Sequence, residues 1–346
     1  MSHIFGDDVK NLAMAFLIVT SACFVASCGG GGGSGSVNGG GSTFTDLKAR
    51  DATFSAEAVL DTWLMKVDAH GDNFNFYLYT PENYTTAGNT AYPVVIVLHG
   101  DDGSTAVSPQ LTPQLLRQGP LAPLAVSDTK LDAAARPALN SHIRNAFVIY
   151  PKIPKVERNG LSDPLGYWNP NAINKIVDYV SQNYRIDKQR LYVTGLSLGS
   201  WGTFHYARTN PDKVAAIAPI SAGLEQMWGG AQLKGMPIWL FHSFNDPVVS
   251  LNSAIVPSLA TLTAGVDFMQ AYPHRDGNKQ LPAPGDYTVS YSDQAGRGPW
   301  NLGSSNASGV INFTLYAGGG HNAWDRTYAN SAMWDWMFSK VNTRLQ

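Results

Sequence analysis

Seven apolar runs punctuate the chain: "FNFYLY" (74–79), "PVVIVLHG" (93–100), "AFVIYP" (146–151), "RLYVTG" (190–195), "VAAIAPIS" (214–221), "PIWLFHS" (237–243) and "VINFTLYAG" (310–318). A strand with one wet face alternates apolar and polar residues, whereas a continuously apolar strand must be covered on both faces. Helix-like stretches separate the runs, so the sequence predicts an α/β fold with a mostly parallel central sheet and helices on both faces. One such stretch, "NPNAINKIVDYVSQNY", places Asn169 as N-cap and Pro170 at the first helical position, with Ile173, Ile176, Val177, Val180 and Tyr184 along one stripe. Near the C-terminus Trp334, Met337, Phe338, Val341 and Leu345 form a second stripe. Residues 101–145 and 270–309 break the alternation and are expected to be long functional loops leaving the carboxyl ends of strands.

Composition narrows the function. A formal net charge of -2, with 14% charged residues, gives no electrostatic footprint for nucleic acid. Both cysteines, Cys23 and Cys28, lie in the first thirty residues, so the body of the chain has no disulfide framework, thiol nucleophile or thiolate metal site. The short apolar run "LAMAFLIVTSACFVA" leads into "VASC", which resembles a bacterial lipobox, with a plain secretory signal or an uncleaved anchor as the alternative. The resemblance implies removal of residues 1–27, acylation of Cys28, and export to the outer membrane. Asp7 and Asp8 depart from the basic character expected before such a run. The stretch "GGGGGSGSVNGGGS" makes 28–43 a flexible tether, leaving 44–346 as a single folded domain.

"VTGLSLGSWG" (193–202) sets Ser197 between Gly195 and Gly199, after a strand-like run and before a helix-like one. A serine hydroxyl is a weak nucleophile unless it is exposed, placed against a base, and provided with donors for the oxyanion that forms on attack. Glycines on either side allow the sharp strand-to-helix turn that exposes it. Small residues also recur at ordinary turns, and a purely structural Ser197 is the alternative on this motif alone.

The segments "GLSLGSWGTFHYARTNPDKVAAIAPISAG", "PIWLFHSFNDPVV" and "GGGHNAWDRTY" together resemble the α/β-hydrolases of the secreted esterase group, which includes polyhydroxybutyrate depolymerases, feruloyl and acetylxylan esterases, and dienelactone-hydrolase-like peptidases. The likeness covers about residues 60–345. It implies Ser197 as nucleophile, His321 as general base and then acid, and Asp246 as the carboxylate orienting it. "IVLHG" followed by "DDGS" resembles the oxyanion loop of the fold, with the main-chain N–H groups of Asp101 and Leu198 as donors and Gly100 permitting close approach. Two departures stand out: Ser243 follows His242 where glycine is common, and Asp101 and Asp102 place acidic side chains beside a developing negative charge.

The resemblance implies no cofactor, and the histidines lack metal-ligand spacing, so no metal is expected. His99 and His242 read as structural histidines near the site, His205 as packing, and His70, His142 and His274 as residues of polar segments. Trp168, Trp201, Trp300 and Trp324 are candidate substrate-binding aromatics, together with His99, against core packing as the alternative. Asp267, Asp276 and Asp286 are rival acids that do not directly follow a predicted strand. The expected partner is an ester, small or polymeric, with membrane contact only through the lipid anchor. Competing readings are a polyester depolymerase, a serine peptidase, and a binding lipoprotein with a silent site.

Overall fold

The computed structural model describes residues 44–50, 60–67, 72–82, 84–85, 87–101, 113–124, 139–152, 157–158, 161–162, 168–224, 230–263, 285–291, 300–303 and 310–344. All of them fall in one compact unit, Ser42–Gln346. The proposed signal segment, the whole tether with Cys28, His70, Asp102, Asp267, His274, Asp276 and Leu345 lie outside the described residues.

The strands are β1 (Phe44–Arg50), β2 (Leu60–Val67), β3 (Asp72–Tyr79), β4 (Tyr92–Leu98), β5 (Phe147–Lys152), β6 (Glu157–Arg158), β7 (Leu161–Ser162), β8 (Ile186–Leu196), β9 (Ala216–Ile220), β10 (Ile238–Ser243), β11 (Tyr287–Tyr291), β12 (Trp300–Gly303) and β13 (Ile311–Tyr316). The helices are α1 (Pro113–Leu116), α2 (Ser141–Arg144), α3 (Pro170–Asn183), α4 (Leu198–Thr209), α5 (Val256–Leu262), α6 (Trp324–Tyr328) and α7 (Ser331–Phe338). Apart from the small β6–β7 pair, the strands form one sheet in the order β1-β2-β3-β5-β4-β8-β9-β10-β13-β11-β12. Its centre, from β5 to β13, is parallel throughout. Both margins are antiparallel: β1, β2 and β3 on one side, β11 and β12 on the other.

The predicted layering follows from strand periodicity. On β4, Val94, Ile96 and Leu98 pack into a layer with Ile173 and Ile176 of α3 and Phe204 of α4. Val95 and Val97 face the other way, toward Leu116, Ile143, Trp334 and Met337 of α1, α2 and α7. The same division puts Ile238 and Leu240 of β10 on one face, and Trp239 and Phe241 on the other. This is the α/β-hydrolase fold: a parallel centre with antiparallel margins, covered by helices on both faces.

Helix α3 starts as expected, with the Asn169 side chain accepting from Asn171 N–H and Pro170 at the first position. Two expectations need correction. Residues 270–309 do not simply loop over the carboxyl edge, because they contain β11 and β12, which widen the sheet beyond β13. The C-terminal stripe also ends early: α7 stops at Phe338 with Ser339 as its C-cap, and Val341 is exposed.

Candidate active site

In the parallel centre all strands end on one rim, and adjacent strands β8, β9, β10 and β13 each lead there into a loop or helix. The rim therefore gathers residues far apart in sequence. Ser197 directly follows β8, Asp246 follows β10, and His321 follows β13.

Ser197 sits at φ 52° and ψ -119°, outside the regions ordinary residues favour, and α4 begins at the next residue. The neighbouring glycines are required by close approach. A Cβ on Gly195 would lie 2.3 Å from the Gly199 carbonyl oxygen, and one on Gly199 would lie 1.9 Å from that of Leu98. The Ser197 N–H donates to Ile220 O at 2.9 Å, which fixes the turn against β9.

His321 Nε2 is 2.9 Å from Ser197 Oγ, and its Nδ1 is 2.8 Å from Asp246 Oδ2. An ionised carboxylate only accepts, so Nδ1 carries the proton and Nε2 presents its lone pair to the serine hydroxyl. The Asp246 side chain is wholly buried. Its other oxygen accepts from Val248 N–H at 2.8 Å and Val249 N–H at 3.0 Å. Burial works against its ionisation, but the bond from His321, the two amides and nearby His242 outweigh it and hold the carboxyl below its ordinary range.

His242 is also buried. Its Nε2 donates to Val249 O at 3.0 Å and lies 3.7 Å from Asp246 Oδ2, so it staples the acid's turn and does not reach the serine-bound imidazole's place. Burial, only partly countered by Asp246, pushes its pKa down to about 4 and leaves the ring neutral near pH 7. Ser243 is buried too, and its hydroxyl has no hydrogen-bond partner among the described residues.

On the loop after β4, a Cβ on Gly100 would meet Leu196 Cδ1 at 2.8 Å and Ser197 Cβ at 3.3 Å, so the glycine brings this loop against Ser197. Asp101 is exposed. Leu198 opens α4, where the first N–H groups have no partner within the helix.

The aromatic candidates separate. Trp324 is partly exposed and stands edge-on to His321, with ring centroids 5.6 Å apart. Trp201 is partly buried and packs against the core. Trp168 is not a substrate wall: it is buried, edge-on to His99, and packed so tightly on α4 that a Cβ on Gly202 would sit 2.5 Å from its ring. His99 is buried with it, and its Nδ1 donates to Gly100 O at 2.6 Å, which makes it a support of the loop after β4. Trp300 lies in β12 opposite Tyr291. His205 is half-buried on α4, where burial and then Arg208 lower its pKa. His142 pairs with Asp335 at 2.8 Å. Among the described residues no group of three His, Cys, Asp or Glu is placed to hold a metal.

Three supports escaped the sequence reading. Gly319 and Gly320 turn the His321 loop at φ 124° and 60°, conformations suited to glycine. Asn245 Oδ1 accepts from Gly320 N–H at 3.0 Å, and the Ser221 hydroxyl donates to His321 O at 2.8 Å. The run of three glycines before His321 was a readable signal for the first pair.

Over 52 residues, 15% of its length, this chain is 46% identical to poly(3-hydroxyalkanoate) depolymerase C of Paucimonas lemoignei, covering 13% of that protein. It is 27% identical over 194 residues to acetylxylan esterase A of Emericella nidulans, covering 51% of this chain and 55% of that one. A solved thermostable esterase aligns with 82% of this chain and 63% of its own at 21% identity, with a TM-score of 0.48. The chain thus spans less than two thirds of the length of each of these relatives. The model of the family described as "Putative esterase" matches residues 68–248, just over half of the sequence and the stretch holding Ser197 and Asp246, and on that match the chain belongs to this esterase family.

Proposed function

We propose that the protein is an exported serine carboxylester hydrolase that works through an acyl-enzyme on Ser197. The observation that carries this reading is the continuous relay from Ser197 Oγ through His321 to Asp246, at 2.9 and 2.8 Å. His321 Nε2 takes the serine proton as Oγ attacks the ester carbonyl. The tetrahedral oxyanion forms against the N–H groups of Asp101 and Leu198. Collapse breaks the bond to the alcohol, which leaves with the proton returned by His321. Water, deprotonated by the same nitrogen, then attacks the acyl-enzyme and releases the acid and free Ser197. Asp246 stays ionised, fixes the tautomer and stabilises the imidazolium formed in each half-reaction.

Membership of the esterase family and likeness to an acetylxylan esterase and a polyhydroxyalkanoate depolymerase support ester substrates of saccharide or polyester origin. The N-terminal reading adds export: residues 1–27 removed, Cys28 acylated, and 28–43 tethering the domain to an outer membrane. No cofactor enters the cycle.

Fluorophosphonate labelling followed by peptide mapping tests the core of the proposal. The label is expected on Ser197 and absent from Ser197→Ala, and an unlabelled wild type would favour a silent binding scaffold. A panel of nitrophenyl esters, feruloyl esters, acetylated xylan, solid polyester and peptides then ranks the substrates.

A further inference from the structure

Between the strand that leads to Ser197 and the one that leads to Asp246 lies β9, and its carboxyl end holds Ser221. This residue is completely buried and adopts φ 59°. Among the described residues, only Ser197 shares a positive φ without being glycine. Conformation alone would select glycine there, since a side chain is disfavoured in the left-handed region. What serine adds is a hydroxyl, and that hydroxyl donates to the main-chain oxygen of His321 at 2.8 Å.

The surrounding bonds show what this contact joins. Ser221 N–H donates to Phe241 O on β10 at 2.9 Å, and the preceding residue, Ile220, accepts from the N–H of Ser197. One residue is thereby fixed to the strand of the acid, adjoins the turn of the nucleophile, and grips the backbone of the base. The His321 loop is also held by Asn245, the residue before Asp246, whose side-chain oxygen accepts from Gly320 N–H. His321 itself follows two glycines with positive φ, so its loop gains little stiffness from its own sequence.

We propose that Ser221 is a positioning residue: its hydroxyl anchors the His321 backbone so that the imidazole stays in line with both Ser197 and Asp246. The inference rests on the serine-hydrolase reading of the site. A misplacement of a general base by about an ångström can lower turnover by as much as a hundredfold while leaving substrate binding intact.

Ser221→Gly separates the anchor from the backbone conformation, because it removes the hydroxyl while glycine adopts the positive φ without strain. The expected result is a kcat lower by roughly tenfold to a hundredfold, KM within about twofold, a melting temperature no lower than wild type, and slower fluorophosphonate labelling. Ser221→Ala deletes the hydroxyl but retains the disfavoured φ, so it should show the same kcat loss with a melting temperature below that of the glycine variant. A Ser221→Gly protein with kcat within about twofold of wild type would overturn the inference. So would a kcat loss explained by partial unfolding at the assay temperature. A wild type that neither labels nor hydrolyses esters would remove the serine-hydrolase reading and this inference with it, whereas an active, labelled wild type with an equally active glycine variant removes the inference alone.

Discussion

Asp286 pairs with Arg326 and not with His321. One of its oxygens accepts from the guanidinium, and the other accepts from Ala317 N–H at 2.8 Å. Both partners are substantially exposed, and such surface pairs contribute about 0–1 kcal/mol. Asp286→Asn is therefore expected to leave kcat on a short nitrophenyl ester within a few fold of wild type. Asp246→Asn should lower it by roughly four orders of magnitude, because the amide cannot hold the Nδ1–H tautomer. Comparing the two variants in one assay checks the assignment, and a larger loss at Asp286 would refute it.

Ser197 sets stability against chemistry. Its φ of 52° stores strain that glycine would not feel, and such conformations cost of order 1–3 kcal/mol. Glycine returns part of this through a more flexible unfolded chain. Ser197→Gly should thus be inactive yet more stable by about 1 kcal/mol, read by urea unfolding. Ser197→Ala should keep the strain and lose about a millionfold in turnover. A glycine variant less stable than the alanine variant would contradict the strain argument.

The glycines of the turn differ sharply from one elsewhere. On Gly199 a Cβ would fall 1.9 Å from Leu98 O and 2.7 Å from His99 O, both main-chain atoms that cannot swing aside. Gly235 has a φ of 74° but nothing within 4 Å of the added atom. Gly199→Ala is expected to cost more than about 3 kcal/mol or to abolish soluble expression, and Gly235→Ala only about 1 kcal/mol. Thermal or denaturant unfolding of the pair measures the difference.

The parallel centre was legible because β4, β5, β9 and β10 are buried on both faces and so are apolar at nearly every position. The margins were not. Strand β11, "YTVSY", alternates polar and apolar residues within a stretch rich in Gly and Pro, and its pairing with β13 and β12 makes it a strand. Ser197, Asp246 and His321 could be picked out because each follows an apolar run, and the rim brings them within hydrogen-bonding distance. Trp168 could not be placed, since "GYWNP" reads as a loop and its burial depends on the space left by Gly202, distant in sequence. Ser221 was hidden for a similar reason: a serine ending a strand is unremarkable until the His321 carbonyl is seen above it.

His242 gives the protein an acid-sensitive core beside the acid of the relay. Its folded pKa is near 4, against an ordinary value of 6.5, chiefly because burial disfavours the charged ring. Between those two pH values the unfolded chain binds a proton that the folded chain refuses, so unfolding takes up protons and stability falls as pH is lowered. The loss begins near pH 6.5, ends near pH 4 where the folded ring also protonates, and sums to about 3 kcal/mol for this one group. Asp246 works in the same direction at lower pH, as protonation of its depressed carboxyl releases the bonds that hold it. His242→Gln keeps a donor for Val249 O and removes the titrating ring. The variant is expected to be somewhat less stable than wild type at pH 7, yet to lose about 3 kcal/mol less between pH 7 and pH 4. Urea unfolding at several pH values measures both slopes, and parallel slopes for the two proteins would show that the buried ring does not govern the acid response.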